Sequence, residues 1–234
     1  MKPDLSGIRG IVFDLDGTLI DSYEAIAQSL NHALAGLGRP ALPVERIRTM
    51  VGRGLETLIA EALGDGQAPV AATDPAVAEG VRLFRARYDA ICVGKTTLLP
   101  GVLPTLSELH ARGYRMSVAT NKPSYFARRL LEALGVGGCL DVVMGPDLVE
   151  RPKPDPQMVL AALDAMQVAR DEALYVGDME IDVETARAAG LRVIVMPTGS
   201  RSLPDLQAAG ADLVVAGFDA LRGLLPGPKA ERRS

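Results

Sequence analysis

The chain has 234 residues, enough for one large domain or two modest ones and for a core that needs no staples. Its 25 Lys and Arg against 29 Asp and Glu leave a formal charge of −4, which argues against a general nucleic-acid binder with a basic face. Aromatic residues are 4% with no Trp, so a base-stacking platform is excluded, and 48% apolar with 23% charged residues excludes a disordered chain.

The first predicted element is a strand, Gly10–Phe13. It ends in Asp14-Leu15-Asp16-Gly17-Thr18, with both carboxylates beyond its carboxyl end, where ligands bind in open α/β sheets. Two carboxylates so close repel unless a cation or a proton neutralises one. Gly17 and Thr18 allow a sharp turn whose backbone N–H groups can face an anion. Residues 21–93 then show helical patterns and no strand. One face carries Ile26, Leu30, Leu34 and Leu37, a second Leu55, Leu58, Ile59, Ala62 and Leu63, and a third Val77, Val81, Phe84, Tyr88 and Ile91. The third is entered through Thr73-Asp74-Pro75, a helix-start signal.

The strand rhythm resumes with Arg115–Ala119, which ends in Thr120-Asn121-Lys122 and supplies a hydroxyl and backbone amides for a phosphate. Lys122 itself reads as a solvated surface lysine. A helix over Pro123–Leu134 stops at Gly135, and a short strand follows at Val142–Met144. Lys153 lies in Arg151-Pro152-Lys153-Pro154-Asp155-Pro156, where three prolines stiffen the backbone and preset a helix to Met166 with Asp155 as N-cap. The strand Ala173–Val176 runs into Gly177-Asp178-Met179-Glu180-Ile181-Asp182, whose two aspartates share a face at the start of a helix over Asp182–Ala189. Strands at Arg192–Met196 and Asp212–Val215 close the series. Near-continuous apolar strands alternating with helices predict a doubly wound parallel, Rossmann-like α/β sheet. The core is assigned to residues 1–20 and 94–228, an inserted helical cap domain to 21–93 and a frayed tail to 229–234.

Taken singly, each polar cluster has an ordinary explanation: an Asx turn, helix N-terminal acid, a surface lysine. Together they place hard oxygen ligands at two strand ends with no His or Cys nearby, which suits Mg²⁺ rather than zinc. Cys92 and Cys139 fit no metal or redox spacing and read as small core residues, and His32 and His110 lie far apart on helical patterns. No apolar run spans a membrane and no signal-peptide pattern opens the chain, so the expected location is cytoplasmic.

In order and position, DLDGTL, the VATN run, the Lys153 loop and GDMEID resemble the motifs of the haloacid dehalogenase superfamily, over essentially the whole chain. TNKP at 120–123, VGRG at 51–54 and the RPKPDP loop most resemble its phosphoglycolate phosphatase branch. The resemblance implies a Mg²⁺-dependent phosphatase acting on a small phosphorylated metabolite through an aspartyl-phosphate. Asp14 would be the nucleophile, and Asp16 would protonate the leaving oxygen and then deprotonate water. Thr120, Asn121 and Lys153 would hold the phosphoryl group. Asp14, Asp16 through its backbone carbonyl, and Asp178 would bind the metal, with Asp182 as an alternative ligand or one acting behind the others. Arg53, between two glycines, would meet a substrate carboxylate. Monomer and homodimer both fit.

A pyrophosphatase or a sugar or nucleotide phosphatase would use the same core chemistry. A phosphomutase of the superfamily would carry a His where this chain has Ile26, and a phosphonate hydrolase a cap lysine that Gly52-Arg53-Gly54-Leu55 lacks. A phospho-receiver resembles about half this length and has no cap.

Overall fold

Six parallel strands form the central sheet: β1 (Gly10–Phe13), β4 (Arg115–Ala119), β5 (Val142–Met144), β6 (Ala173–Gly177), β7 (Arg192–Val195) and β8 (Leu213–Val214). Two further short strands, β2 (Ile20–Asp21) and β3 (Thr97–Leu98), pair as a separate ribbon. The helices are α1 (Tyr23–Gly36), α2 (Val44–Met50), α3 (Leu55–Leu63), α4 (Pro75–Ile91), α5 (Val102–Ala111), α6 (Ser124–Ala133), α7 (Gln157–Met166), α8 (Glu180–Ala189), α9 (Leu203–Ala208) and α10 (Phe218–Leu224). These elements come from a computed structural model, in which residues 4–64 and 66–226 are described. The tail assigned to 229–234 lies outside the described residues.

The sheet order is β5-β4-β1-β6-β7-β8. From β1 the chain winds outward through β4 and β5, then returns to the other side of β1 and winds outward again. The order therefore reverses between β1 and β6, and side chains beyond the carboxyl ends of those strands face the crevice where such sheets bind ligands. Asp14 follows β1 and Asp178 follows β6. The ladder continues one residue past β1, with Asp14 N–H donating to Val176 C=O at 2.9 Å.

Both central strands are buried along their whole length, which explains their unbroken apolar sequence. Val12, Tyr175 and Val193 pack on one face with residues of α7 and α8. Phe13 points to the opposite face, its ring 6.2 Å from that of Phe218 on α10. The result is a doubly wound α/β core, as the sequence pattern predicts.

The chain divides into two compact units, one of residues up to Ile20 with those from Leu98 onward, the other Asp21–Thr97. The second unit is helical. Its buried face includes Leu30 and Leu34 of α1, Leu58 and Ile59 of α3, and Phe84 and Tyr88 of α4, whose rings stack at 5.4 Å. Asp74 caps α4 by accepting the Ala76 N–H at 2.9 Å. Helix α2 has no counterpart among the predicted elements. It has seven residues with only Ile47 buried, so it carries no periodicity to detect.

Three local expectations are corrected. Helix α8 begins at Glu180 rather than Asp182, because the Asp182 carboxylate reaches back to cap it. Cys139 is only partly buried, in a short turn before β5, while Cys92 is buried as expected. Lys122 is not solvated but buried. His32 and His110 are both exposed.

Candidate active site

The turn after β1 is built tightly. Leu15 points into the core and is fully buried, so Asp14 and Asp16 project the other way. Leu15 C=O accepts from Leu19 and Ile20 N–H at 2.9 and 3.1 Å, and Gly17 supplies the positive φ of 86° that the reversal needs. The turn is tied down at two further points. Thr198 Oγ1 donates to Gly17 C=O at 2.7 Å, and Thr18 Oγ1 donates to Asp178 Oδ1 at 2.6 Å. Thr18 therefore links the β1 turn to the end of β6.

Lys153 is the hub of the site. Its side chain is 1% exposed, and Nζ lies 2.8 Å from both Asp14 Oδ1 and Asp182 Oδ1. Nζ also donates to Tyr175 Oη at 3.1 Å, and that hydroxyl lies 3.2 Å from both Ala119 C=O and Asp182 Oδ1. The loop bearing Lys153 is clamped by Asn121. Its Nδ2 donates to Lys153 C=O at 3.3 Å, and its Oδ1 accepts Lys153 N–H at 3.1 Å. The Asn121 side chain thus ties the end of β4 to the lysine loop through both its amide atoms.

Asp182 is fully engaged as well. Its Oδ2 accepts the Asp178 and Met179 N–H groups at 2.9 and 3.0 Å while Oδ1 faces Lys153 and Tyr175. The carboxylate sits directly over Gly177, where any Cβ would collide with it. Asp178 is different. Its Oδ1 accepts from Thr18, but Oδ2 is buried with no hydrogen-bond partner. Carboxylate oxygens of Asp14, Asp178 and Asp182 lie within 4.8 Å of one another.

Such crowding shifts protonation. Burial, then the charges of Asp182 and Asp16, push the Asp14 carboxyl from 3.8 to about 6 against the pull of Lys153. Burial and the carboxylates of Asp182 and Asp14 hold Asp178 well above the usual range. Burial pulls the Lys153 ammonium down, but Asp14 and Asp182 outweigh it and hold it well above its ordinary value.

A second lysine completes the arrangement. Lys122 Nζ is 2.9 Å from Asp16 Oδ2, and the two side chains are 7% and 11% exposed. Thr120 is buried beside them in sequence and accepts the Lys122 N–H on Oγ1 at 3.2 Å. Sequence reading takes Lys122 for a solvated surface lysine and passes over Tyr175. The TNKP segment itself was the available signal for Lys122, whereas Tyr175 looks like one more apolar strand residue. Arg53 belongs to the helical unit, where it is exposed in the turn between α2 and α3.

With all four carboxyl groups ionised, two ammonium groups leave an excess of two negative charges in this cluster, the excess that pushes Asp14 and Asp178 towards protonation when no cation is bound. The orphaned Asp178 Oδ2 and this excess fit a divalent cation held by oxygen ligands.

The chain matches the model of the haloacid dehalogenase-like hydrolase family over residues 11–196. It is 38% identical to the phosphoglycolate phosphatase of Rhodospirillum rubrum, covering 96% of this chain and 94% of that protein. Identity to the phosphoglycolate phosphatase of Pseudomonas putida is 35%, over 94% of this chain and 79% of that one. A crystal structure from Lactobacillus delbrueckii subsp. bulgaricus superposes with a TM-score of 0.84 at 28% identity, covering 93% of this chain and 98% of that one. With the strand order, the two strand-end aspartate clusters and these matches in agreement, the chain belongs to the haloacid dehalogenase-like hydrolase family.

Proposed function

We propose that the protein is a Mg²⁺-dependent phosphatase for a small phosphate monoester, with a phosphoglycolate-like substrate favoured. The observation that carries this reading is Lys153, buried between Asp14 and Asp182 beside the unpartnered Asp178 oxygen. A carboxylate attacking a phosphate dianion at ~4 Å meets a repulsion of about 2 kcal/mol at bulk dielectric and about 8 at an effective value near 20. Positioning and charge neutralisation are therefore the main work.

In the first displacement an Asp14 carboxylate oxygen bonds to phosphorus as the ester P–O bond breaks. The departing oxygen takes a proton from Asp16. In the second, Asp16 takes a proton from water, whose oxygen attacks phosphorus, freeing phosphate and Asp14. Asp16 thereby returns to its starting state. Lys153 and Thr120 hold the phosphoryl oxygens. The Asp14 and Asp178 carboxylates and the Asp16 backbone carbonyl would hold Mg²⁺, which supplies positive charge to the transferring group. Asp182 positions Lys153 and the α8 N-terminus and is not a direct ligand, since both its oxygens are already bonded.

We assign the helical unit the role of a cap that selects substrate, with Arg53 meeting a substrate carboxylate. A panel of phosphoglycolate, sugar phosphates, nucleotides and pyrophosphate, compared by kcat/KM with Mg²⁺ and with chelator, tests this. Phosphoglycolate is expected to lead, and Arg53→Ala to weaken carboxylated substrates by about tenfold or more while sparing neutral ones. Equal loss for both classes, or chelator-resistant turnover, contradicts the assignment.

Metal binding has a readout without turnover. The folded state holds a proton on Asp14 up to about pH 6, while the unfolded chain releases it near 3.8. Folding therefore loses stability between those values as pH rises, unless a cation binds the ionised form. The increase in urea midpoint on adding Mg²⁺ should grow as pH rises through about 6, where Asp14 ionises, and should go on growing until the raised Asp178 carboxyl is ionised as well. A pH-independent increase, or none, counts against the site.

A further inference from the structure

The phosphatase reading assigns proton transfer to Asp16 but leaves unexplained why a second lysine is buried beside it. Lys122 is held from several directions. Its N–H donates to Thr120 Oγ1 at 3.2 Å, and Pro123 fixes the next residue at φ −49°. Ser124 N–H and Oγ then donate to Asp147 at 2.7 and 2.6 Å, which pins the start of α6. Only the side chain remains to be placed, and it carries its ammonium 2.9 Å from Asp16 Oδ2 in a nearly dry setting. Desolvating a lysine to that degree is costly, and nothing in the capping of α6 requires it. The two lysines also divide the two carboxylates of the β1 turn, Lys153 on Asp14 and Lys122 on Asp16.

We propose that Lys122 is a positioning residue whose ammonium group orients the Asp16 carboxyl group for proton transfer to the leaving oxygen and from water. This rests on the phosphatase reading above and adds a group that touches neither phosphate nor metal. Asp16 on a short turn has rotational freedom of its own, and a fixed cation at one oxygen leaves the other aimed at the reacting atoms. The requirement is greatest when the leaving group is an alkoxide, which needs a proton. It is smallest for p-nitrophenolate, a stable anion that departs without one.

The test compares wild type and Lys122→Met on three esters: phosphoglycolate, glycerol 1-phosphate and p-nitrophenyl phosphate. The kcat/KM for both alkyl esters is expected to fall by about 100-fold, and that for p-nitrophenyl phosphate by less than about fivefold. With the aryl ester, kcat should fall more than kcat/KM and a burst of p-nitrophenol should appear, because the second step also needs an oriented Asp16. Asp16→Asn with Lys122→Met leaves no unpaired charge and guards against a folding failure of the single variant. It should be no slower on the alkyl esters than Asp16→Asn alone. Equal loss on all three esters, a loss confined to phosphoglycolate, or a further loss in the double variant would each overturn the proposal. A wild-type enzyme inert towards all three overturns the phosphatase reading, and with it the role of Lys122.

Discussion

Asp14→Asn is expected to lower kcat by about 10⁴-fold or more while leaving the protein folded. The amide keeps the shape of the carboxyl group but is a poor nucleophile. Its structural effect should be small for a reason specific to this site. Asp14 is an expensive anion, pushed towards neutrality by burial and by Asp182 and Asp16, and Lys153 keeps a second carboxylate partner in Asp182. In chelator the variant should therefore unfold at a urea concentration equal to or above that of wild type. Retention of more than about a tenth of wild-type kcat would show that another group attacks phosphorus.

Lys153→Met should behave oppositely, losing both activity and stability. The lysine is the shared cation of Asp14 and Asp182, and Asp182 cannot turn to solvent while it caps α8 and covers Gly177. Removing one partner of a buried charge cluster costs about 3–5 kcal/mol, because the remaining anions are left uncompensated. Turnover should fall by about 10³-fold or more, since the phosphoryl group loses its fixed positive charge. Urea unfolding and steady-state kinetics on the same preparation check both. A variant as stable as wild type would mean that the cluster does not depend on Lys153. Mg²⁺ should restore part of the lost stability, and only part, because on the proposed ligand set it neutralises Asp14 and Asp178 but not Asp182, whose Oδ1 loses its Lys153 partner in this variant.

The contrast between these variants shows what the sequence could and could not convey. The strands were legible because burial of the central ones leaves them almost without polar positions, and β1, β4 and β5 have the predicted bounds. The aspartates were legible because they follow strands in short, glycine-marked turns. The direction of each side chain was not. Asp182 is four residues from Asp178, a spacing that suggests shared ligation, yet its oxygens turn to backbone N–H groups and to a lysine 29 residues away. Lys122 sits in a polar segment after a strand, where surface lysines are common, and its partner Asp16 belongs to a different strand end. The hydroxyl of Tyr175 finds its partners only once β4, the Lys153 loop and α8 converge. Local pattern conveys burial and turn chemistry, whereas pairing between distant segments follows only from the sheet order.

Nucleophilic attack by Asp14 is best tested by trapping its product. Asp16→Asn enzyme mixed with Mg²⁺ and p-nitrophenyl phosphate can be phosphorylated, since that leaving group needs no proton, but should release phosphate slowly. Acid quenching followed by peptide mass spectrometry is expected to find one phosphoryl group on Asp14, in amounts matching the p-nitrophenol burst. Phosphate appearing in solution with no protein-bound phosphoryl group, or a phosphoryl group on any other residue, would contradict the mechanism.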